Sequence, residues 1–382
     1  MEEKEKRKTI RTFGLASFLN DLGSDMIYPI WPLFVTTILG ANMTVLGFLD
    51  GLGEAIVSIS QAASGFISDK IRKRKVFIWI GYLFGSFSRI GYAISSVWQH
   101  LIPFRVLDRA GKIRSAPRDA IVADISTTEN RGRNFGFLRM MDNFGAVGGI
   151  VICILLFGVL GYKNLFLLAA FPSAVGAFLI FSLIKEKKPP QVKIYKGLFF
   201  QALDKNFKLF LFLSSIFALG SFSYSFLLIF AKEFGFKTGF VPVLYLIFTA
   251  VAALFSLPFG KLADRIGRKP VIMLSFIFWG LLCLIFIFIP KYLSIILAFI
   301  LYGLHRGALE PIQRTFVSEI SPIEYRASSL GGFQMIIGLC ALPSSLVAGI
   351  LWDKISVYAP FYLSLALTVL SIIMLIFVKE KK

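Results

Sequence analysis

Two pairs of acidic residues are spaced four positions apart inside apolar stretches of the chain. Asp21 and Asp25 form the first pair, and Asp50 and Glu54 form the second. Residues at this spacing lie one turn apart on one face of a helix. Two carboxylates so close together in a medium of low dielectric do not both ionise easily. Each pair is therefore a candidate for binding and releasing a proton near neutral pH.

Further ionisable residues interrupt the other apolar stretches. They are Arg105, Arg109, Lys112, Arg139, Asp142, Arg306 and Glu310. A charge in apolar surroundings is energetically expensive and by default indicates a functional site. We expect a proton site at Asp21, Asp25 or Glu54. Its switching partner is expected to be Arg109 or Arg105.

The same residues also fit a second interpretation, which is permanent ion pairing. In the first half of the chain the acids and bases at depth are about equal in number, about seven of each, and could neutralise one another. Static pairs of this kind would hold the helices together and carry nothing. The residue types alone leave both interpretations open.

The apolar stretches predict helices that cross a membrane. Hydrophobic residues make up 56% of the 382 residues and charged residues only 16%, against roughly 45–50% and about 25% in soluble proteins. The excess lies in runs of about 20 residues, the length that spans a bilayer core, and the alternating pattern of a transmembrane barrel is not found. We predict an all-α membrane protein of about twelve transmembrane helices. The predicted spans are 12–39, 43–68, 75–96, 99–126, 133–160, 164–184, 207–231, 239–263, 269–289, 293–320, 325–351 and 356–378.

The basic residues indicate orientation in the membrane and not nucleic-acid binding. The formal net charge is +19, but Lys and Arg concentrate between the apolar runs, as in Lys70–Lys75. With the N-terminus inside, the cytoplasmic segments hold roughly 26 basic residues and the outer loops about 5. We therefore expect a multi-pass protein of the cell membrane, surrounded by lipid, with both termini in the cytoplasm and no nucleic-acid partner.

The two halves of the chain repeat at one offset. The segment Gly65–Asp69 recurs as Gly260–Asp264, about 195 residues later, and the same shift carries Asp124 onto Glu319. Six helices in each repeat give a parallel duplication about the membrane normal, so the halves are expected to be related by a pseudo-two-fold axis. We predict an N-terminal six-helix bundle at 1–184, a cytoplasmic linker at 185–206 and a C-terminal six-helix bundle at 207–382.

At these positions the chain resembles the major facilitator superfamily, whose loop between the second and third helices reads G-x-x-x-D-R-x-G-R-[RK]. The second half matches with Gly260, Asp264, Arg265, Gly267, Arg268 and Lys269. The first half keeps Gly65, Asp69, Arg74 and Lys75, and departs with Lys70 and Arg72. The resemblance covers essentially the whole chain. More narrowly, segments 20–29 and 107–120 resemble an archaeal and bacterial branch of the superfamily.

The resemblance implies a gate at this loop. Gly65 and Gly260 would allow helices to approach closely at the inner membrane face. Asp69 and Asp264 can accept hydrogen bonds from a helix N-terminus or pair with an arginine, and such a contact can exist in one transport state and break in the other. The alternative is a topology anchor, for which the basic residues alone would be enough.

Two features of the predicted helices concern their shape. Pro29 and Pro32 are three residues apart, so the outer half of the first helix should be kinked. We expect Trp31 to lie in the interfacial aromatic belt, whereas Tyr28 fits the belt and a substrate path equally well. The small residues of Gly145–Gly149 predict a close helix contact in the fifth span.

These observations favour a secondary transporter of a small organic solute that works by alternating access. We expect coupling to protons or another ion, with export somewhat favoured over import. The alternatives are an uptake or facilitative carrier of an anionic metabolite, suggested by the arginines, and a membrane receptor that transports nothing. The chain has no nucleotide-binding, catalytic or metal-binding motif, so we expect neither an enzyme nor a cofactor or metal. A monomer is the expected state.

Overall fold

The computed structural model describes residues 3–127, 130–185, 204–321 and 326–380. Within these ranges the secondary structure is helical and contains no strand. The α-helices, numbered in chain order, are α1 (Glu3–Ile27), α2 (Trp31–Leu33), α3 (Met43–Ile71), α4 (Lys75–Ile94), α5 (Leu101–Ala110), α6 (Ser115–Ile125), α7 (Arg131–Leu183), α8 (Lys205–Gly220), α9 (Tyr224–Glu233), α10 (Val241–Ile266), α11 (Arg268–Phe288), α12 (Tyr292–Ile320), α13 (Arg326–Lys354) and α14 (Ala359–Ile376).

The described residues of all twelve predicted spans lie mostly in helices, which confirms the all-helical prediction. Eight stretches of the described chain are long and apolar enough to cross a membrane by length and composition alone. One of them is α7, which contains the fifth and sixth predicted spans on either side of Gly161, where φ is +65°. The first, third and fourth predicted spans are not among these eight stretches. The first and fourth of these contain five of the eleven candidate charges, namely Asp21, Asp25, Arg105, Arg109 and Lys112.

The first span is interrupted where its prolines predict a kink. Helix α1 ends at Ile27, directly before Tyr28 and Pro29. The ring of a proline disfavours helical geometry at the preceding residue, so a helix tends to end there. The chain continues through the single turn α2 and a π-helical segment, Phe34–Ile38. The predicted kink is therefore confirmed.

The fourth span is also interrupted, at a position that sequence analysis did not identify. Helices α5 and α6 are joined by a 3₁₀ turn, Gly111–Arg114. Pro117 has no N–H to donate to the carbonyl of Ile113, and its ring crowds that carbonyl. A short 3₁₀ segment inside a long helix is often found at functional positions. This turn contains Lys112.

The chain forms two compact units. The first contains residues 1–40 and 56–195, and the second contains residues 41–55 and 196–382. The beginning of α3 is thus grouped with the second unit, although the sequence places it in the N-terminal bundle. The predicted boundaries of the bundles remain a prediction, and most of the predicted linker, 186–203, lies outside the described residues.

The first unit is built around the contact between α1 and α7. A Cβ atom at Gly145 would overlap the backbone oxygen of Phe18, and one at Gly149 would overlap that of Leu22. Only glycine permits this approach of the two backbones. The close contact predicted for Gly145–Gly149 is therefore confirmed, and it brings the polar residues of α1 next to those of α7.

The second unit has an aromatic core. Phe217 and Phe276 stack with ring centroids 3.9 Å apart, and Phe230 and Phe286 stack at 4.6 Å. Trp279 is fully buried and donates a hydrogen bond from Nε1 to the hydroxyl of Ser364 at 2.7 Å. Many of the phenylalanines in this half are therefore core residues, and they fix the helices on which the second set of charges lies.

The beginning of α3 packs tightly within the second unit. A Cβ atom at Gly51 would lie 2.7 Å from the Cα of Leu342. The Asp353 carboxylate accepts hydrogen bonds from the backbone nitrogens of Met43 at 3.1 Å and Thr44 at 2.7 Å. These N–H groups belong to the first turn of α3 and have no partner within the helix, so a side chain of α13 caps the N-terminus of α3.

Candidate functional site

Three charged side chains of the first unit, each from a different element, interact electrostatically with one another. Asp21 lies on α1, Lys112 on the 3₁₀ turn and Asp142 on α7. Lys112 interacts electrostatically with both carboxylates, and the two carboxylates interact with each other. All three side chains are partly buried. We call these three residues the central triad.

Asp21 and Lys112 are not held in ion pairs. Within the described residues Asp21 accepts one hydrogen bond, from Nδ2 of Asn20 at 2.8 Å, and has no basic nitrogen within 4.0 Å. Over the same part of the chain Lys112 has neither a hydrogen bond nor an ion pair. These opposite charges share one site without being locked to each other.

Asp142 is more strongly constrained than Asp21. Its carboxylate lies 3.6 Å from Nη1 of Arg118 and 3.4 Å from Nη1 of Arg139. Arg139 is 60% exposed at its side chain, whereas that of Asp142 is 14% exposed. Arg118 also lies 3.0 Å from the carboxylate of Asp119. Even so, the buried Oδ1 of Asp142 accepts no hydrogen bond from the residues that the structure describes.

The two arginines of α5 lie against aromatic rings. The guanidinium of Arg105 lies 4.5 Å from the ring centroid of Trp31, and that of Arg109 lies 4.9 Å from the ring centroid of Tyr28. Arg109 is also 3.6 Å from the carboxylate of Asp108. Cation–π contacts of this kind are strengthened when the groups are desolvated, and both arginines are buried.

This arrangement corrects the expectation for Trp31. We expected the indole in the interfacial belt, but Trp31 is fully buried. Its ring also lies 4.9 Å from that of Tyr92. The turn after Ile27 directs the side chain inward, where it packs against Arg105. Tyr28 has the corresponding position against Arg109, as a partly buried residue beside the charged cluster.

The two predicted carboxylate pairs differ in their surroundings. Asp25 is buried and Asp21 is only partly buried. In the second unit Asp50 is buried and accepts a hydrogen bond from the Ser223 hydroxyl at 2.7 Å, whereas Glu54 is exposed. One turn of helix therefore separates a buried carboxylate from a more accessible one in both pairs.

The candidates of the second half form an ion pair on one helix. Arg306 donates hydrogen bonds to Glu310 one turn later on α12. Glu54 and Arg306 both interact electrostatically with Tyr302. The structure therefore places Glu54, Arg306 and Glu310 around one tyrosine of the second unit.

The gate motif of the first half forms a triad around one arginine. Arg74 donates from Nη2 to Asp69 at 2.8 Å and from Nη1 to Asp124 at 2.5 Å. Arg74 is 4% exposed and lies between α3 and α4. Burial opposes its charge, but the hydrogen bonds and charges of the two carboxylates outweigh burial and raise the pKa of Arg74 above its ordinary value.

The second half repeats this triad. Arg268 donates hydrogen bonds to Asp264 and, at 3.1 Å, to Glu319. The two carboxylates in each half are those that the sequence repeat relates, so the duplication extends to this pattern of contacts. Arg268 is more exposed than Arg74, at 18% against 5% of the side chain.

The loop glycines have different structural roles. Gly267 has φ +102°, a conformation that favours glycine. In the first half Arg72 replaces the second glycine of the motif and also has a positive φ, +54°. Among the residues that the structure describes, the close approach expected at Gly65 and Gly260 is not seen. A Cβ atom at Gly65 would make only an ordinary contact of 3.5 Å, and one at Gly260 would meet nothing within 4 Å. Arg265 is exposed.

Sequence analysis missed a buried cation, Arg89. It is 1% exposed and lies on α4 beside the polar face of α1. The sequence could have revealed it, because Arg89 is the only charged residue in the apolar run between Lys75 and the end of α4. It has no acidic neighbour in sequence, so we did not associate it with the acids of α1.

Comparison with known proteins identifies the family. The sequence model of the Major Facilitator Superfamily matches residues 13–252 and 209–382. The chain belongs to this superfamily. An MFS-type transporter of Methanocaldococcus jannaschii is 37% identical, over 98% of this chain and 96% of its own length. The quinolone resistance protein NorA of Staphylococcus aureus is 24% identical, over 96% of this chain and 95% of its own length.

Solved structures of the superfamily share the fold. A D-xylose–proton symporter has a TM-score of 0.79 at 15% identity, covering 98% of each chain. The nucleoside transporter NupG has a TM-score of 0.75 at 17% identity, covering 96% of this chain and 97% of its own. These similarities show the two-domain superfamily fold. Membership of the superfamily makes the chain a membrane transporter and not an enzyme.

Proposed function

We propose that this chain is a proton-coupled exporter of a small organic solute, working by alternating access in the cell membrane. We further propose that it acts as a monomer with both termini in the cytoplasm. The observation that carries the proposal is the central triad, where a carboxylate and an ammonium share a partly buried site without forming an ion pair. Charges in static pairs have no such freedom.

The central triad supports coupling because it can exist in two charge states. With Asp21 ionised, two carboxylates compete for Lys112. Protonation of Asp21 removes the repulsion between Asp21 and Asp142 and leaves Lys112 free to interact with Asp142 alone. The unbonded Oδ1 of Asp142 is a position where such a rearrangement would gain a hydrogen bond. One proton thereby changes the charge distribution between α1 and α7, which biases a two-state transporter.

The contacts made by the arginines argue against an anionic substrate. A carrier for anions needs a guanidinium that a substrate can reach. Arg109 is covered by Tyr28 and lies beside Asp108, and Arg306 is paired with Glu310. An anion would have to displace a carboxylate already present at either position, at the cost of leaving it unpaired.

The direction of transport rests on the relatives. NorA is named for quinolone resistance, and a further relative at 24% identity, from Bacillus subtilis, is named multidrug resistance protein 1. Both are similar over nearly the whole chain. We carry this direction to the present chain as part of the proposal, with the triads around Arg74 and Arg268 as the gates.

The test uses purified protein reconstituted in liposomes. A thermal-shift screen of metabolites and organic cations first identifies a compound that stabilises the protein. Its flux is then measured with and without a pH gradient. We expect Asp21→Asn to abolish the response to the gradient while exchange of the compound across the membrane continues, because the binding site remains but the coupling proton is lost.

A matched variant controls for the loss of any carboxylate. Asp204→Asn changes an aspartate that caps the N-terminus of α8, where it accepts a hydrogen bond from the Phe207 nitrogen at 2.7 Å. This variant should keep the full response to the gradient. If Asp21→Asn and Asp25→Asn both leave gradient-driven flux unchanged, the proton-coupling proposal is wrong.

A further inference from the structure

Arg89 is held entirely by neutral oxygen acceptors. Its Nη1 donates to the backbone oxygen of Ala169 at 2.7 Å and to the Ser173 hydroxyl at 2.5 Å. Its Nη2 donates to the backbone oxygen of Asn20 at 3.2 Å and to the Ser24 hydroxyl at 2.7 Å. These acceptors lie on α1 and α7, so one side chain of α4 joins three helices.

The surrounding backbone is shaped to hold this guanidinium. A Cβ atom at Gly23 would overlap Nη1 of Arg89 and the backbone oxygen of Ala169. Glycine at this position therefore leaves the space that the guanidinium occupies. The cation is part of a built site, and its position is fixed to within the tolerance of these hydrogen bonds.

Donor and acceptor chemistry sets the direction of the bonds that lead away from Arg89. A guanidinium has only donors, so the Ser173 oxygen must accept from it. The single hydroxyl proton of Ser173 is then free for Oδ1 of Asn20, which lies at 3.0 Å. With Oδ1 engaged in this way, the amide of Asn20 must direct Nδ2 at its other neighbour. That neighbour is the Asp21 carboxylate, at 2.8 Å.

We propose that Arg89 is a positioning residue for the coupling carboxylate: through Ser173 and Asn20 it holds an N–H donor against Asp21 and so favours the ionised form of that carboxylate. The inference rests on the proposed role of Asp21. Without the order imposed by Arg89, Ser173 can donate elsewhere and the amide of Asn20 can rotate. An amide oxygen facing Asp21 would then favour the protonated carboxyl, which is a donor.

Several charged groups surround Asp21 and must be kept constant in the test. They are Asp25 on α1, Arg89 on α4, Lys112 on the 3₁₀ turn, and Asp142 on α7 with Arg118 beside it. Substituting Ser173 by alanine leaves all of them in place. Arg89 also keeps its hydrogen bonds to the backbone oxygens of Ala169 and Asn20 and to the Ser24 hydroxyl. The substitution removes only the connection through the Ser173 hydroxyl to the side-chain amide of Asn20.

The experiment is an infrared titration of the protonated carboxylic acid band in the purified full-length protein. Subtracting the spectra of Asp21→Asn isolates the contribution of Asp21. We expect Ser173→Ala to raise the pH at which Asp21 is half protonated by about one unit, a tenfold change in proton affinity. Arg89→Lys, which keeps the charge but not the forked geometry, should move the midpoint in the same direction.

Ser86→Ala is the matched control. The Ser86 hydroxyl donates to the backbone oxygen of Ala170 at 2.9 Å and is buried at the same contact between α4 and α7. It should leave the midpoint unchanged. If Asp21→Asn removes part of the band but neither Ser173→Ala nor Arg89→Lys moves the midpoint, the positioning role is overturned and the proton site stands. If Asp21→Asn leaves the band intact, the proton site itself fails, and the positioning role fails with it.

Discussion

Replacing Gly23 by alanine should destabilise the protein through a single methyl group. The new Cβ would overlap Nη1 of Arg89 and the backbone oxygen of Ala169, and would lie 3.2 Å from Cζ of Arg89. Relief requires either α1 to move away from α7 or the guanidinium to leave its acceptors. Overpacking of this kind costs about 1–3 kcal/mol, and a lost hydrogen bond to a charged group costs about 1.5–3 kcal/mol.

The costs of overpacking and of the lost hydrogen bond do not simply add, because displacement of the guanidinium relieves the overlap. We therefore expect a net loss of about 3 kcal/mol. Domains of 150–250 residues lose about 2–4 °C of midpoint for each kcal/mol, which gives a shift of about 6–12 °C. Thermal unfolding of the purified protein, followed by intrinsic tryptophan fluorescence, measures this shift.

Gly158→Ala is the control for this substitution. Gly158 is an exposed helical residue of α7, and a Cβ atom there would meet nothing within 4 Å. Because alanine is the better helix former, this variant should be equal to or slightly more stable than the parent chain. A Gly23→Ala variant as stable as Gly158→Ala would refute the close packing around Arg89.

Three further outcomes follow from the structure. Arg74→Gln should lower the unfolding midpoint more than Arg268→Gln does. Arg74 is nearly buried between two carboxylates, whereas the greater exposure of Arg268 weakens its ion pairs. Equal shifts would contradict this ordering. Asp353→Ala should cost about 1 kcal/mol of stability, because the backbone N–H groups of Met43 and Thr44 lose their acceptor; an unfolding midpoint equal to that of the parent chain would contradict this. Gly267→Ala should also lower the midpoint, since alanine is strained at φ +102° and its Cβ would lie 2.7 Å from the Glu380 carboxylate, and an unchanged midpoint would count against that backbone geometry.

Sequence reasoning predicted the helices well because lipid imposes a simple rule. Runs of about 20 apolar residues must be helical when no water is present to satisfy the backbone. The kink near Pro29 and the close contact at Gly145 followed from residue types whose geometry is local. The interruption at Lys112 was missed, although Pro117 lies three residues after the 3₁₀ turn and could have predicted it.

The partners of the charged residues could not be predicted in the same way. Helical spacing shows that Asp21 and Asp25 share a face, but it does not show which residue of a distant helix lies opposite. Asp142 comes to Asp21 only through the glycine contacts between α1 and α7. Trp31 was misplaced for a related reason, since the direction of a side chain after a kink depends on tertiary packing.

The gate motif shows an intermediate case. The repeat relates Asp69 to Asp264 and Asp124 to Glu319, and the structure joins each carboxylate pair through one arginine. The equal offsets were visible in the sequence, but their meaning was not, because an ion pair is a property of folded neighbours. The loop between Asp69 and Arg74 is one residue longer than that between Asp264 and Arg268, so the two arginines depart from the common offset although the superfamily motif aligns them.

The 3₁₀ turn between α5 and α6 has a rotational consequence. A 3₁₀ helix advances about 120° per residue and an α-helix about 100°, so four residues add about 80° of rotation. Arg105 and Arg109, before the turn, pack against aromatic rings. Arg118, after the turn, contacts Ser17 and Asp142 instead. A single membrane-crossing segment can in this way present basic side chains to two different neighbours. Converting that turn to α-helical geometry would rotate the side chains after it relative to those before it.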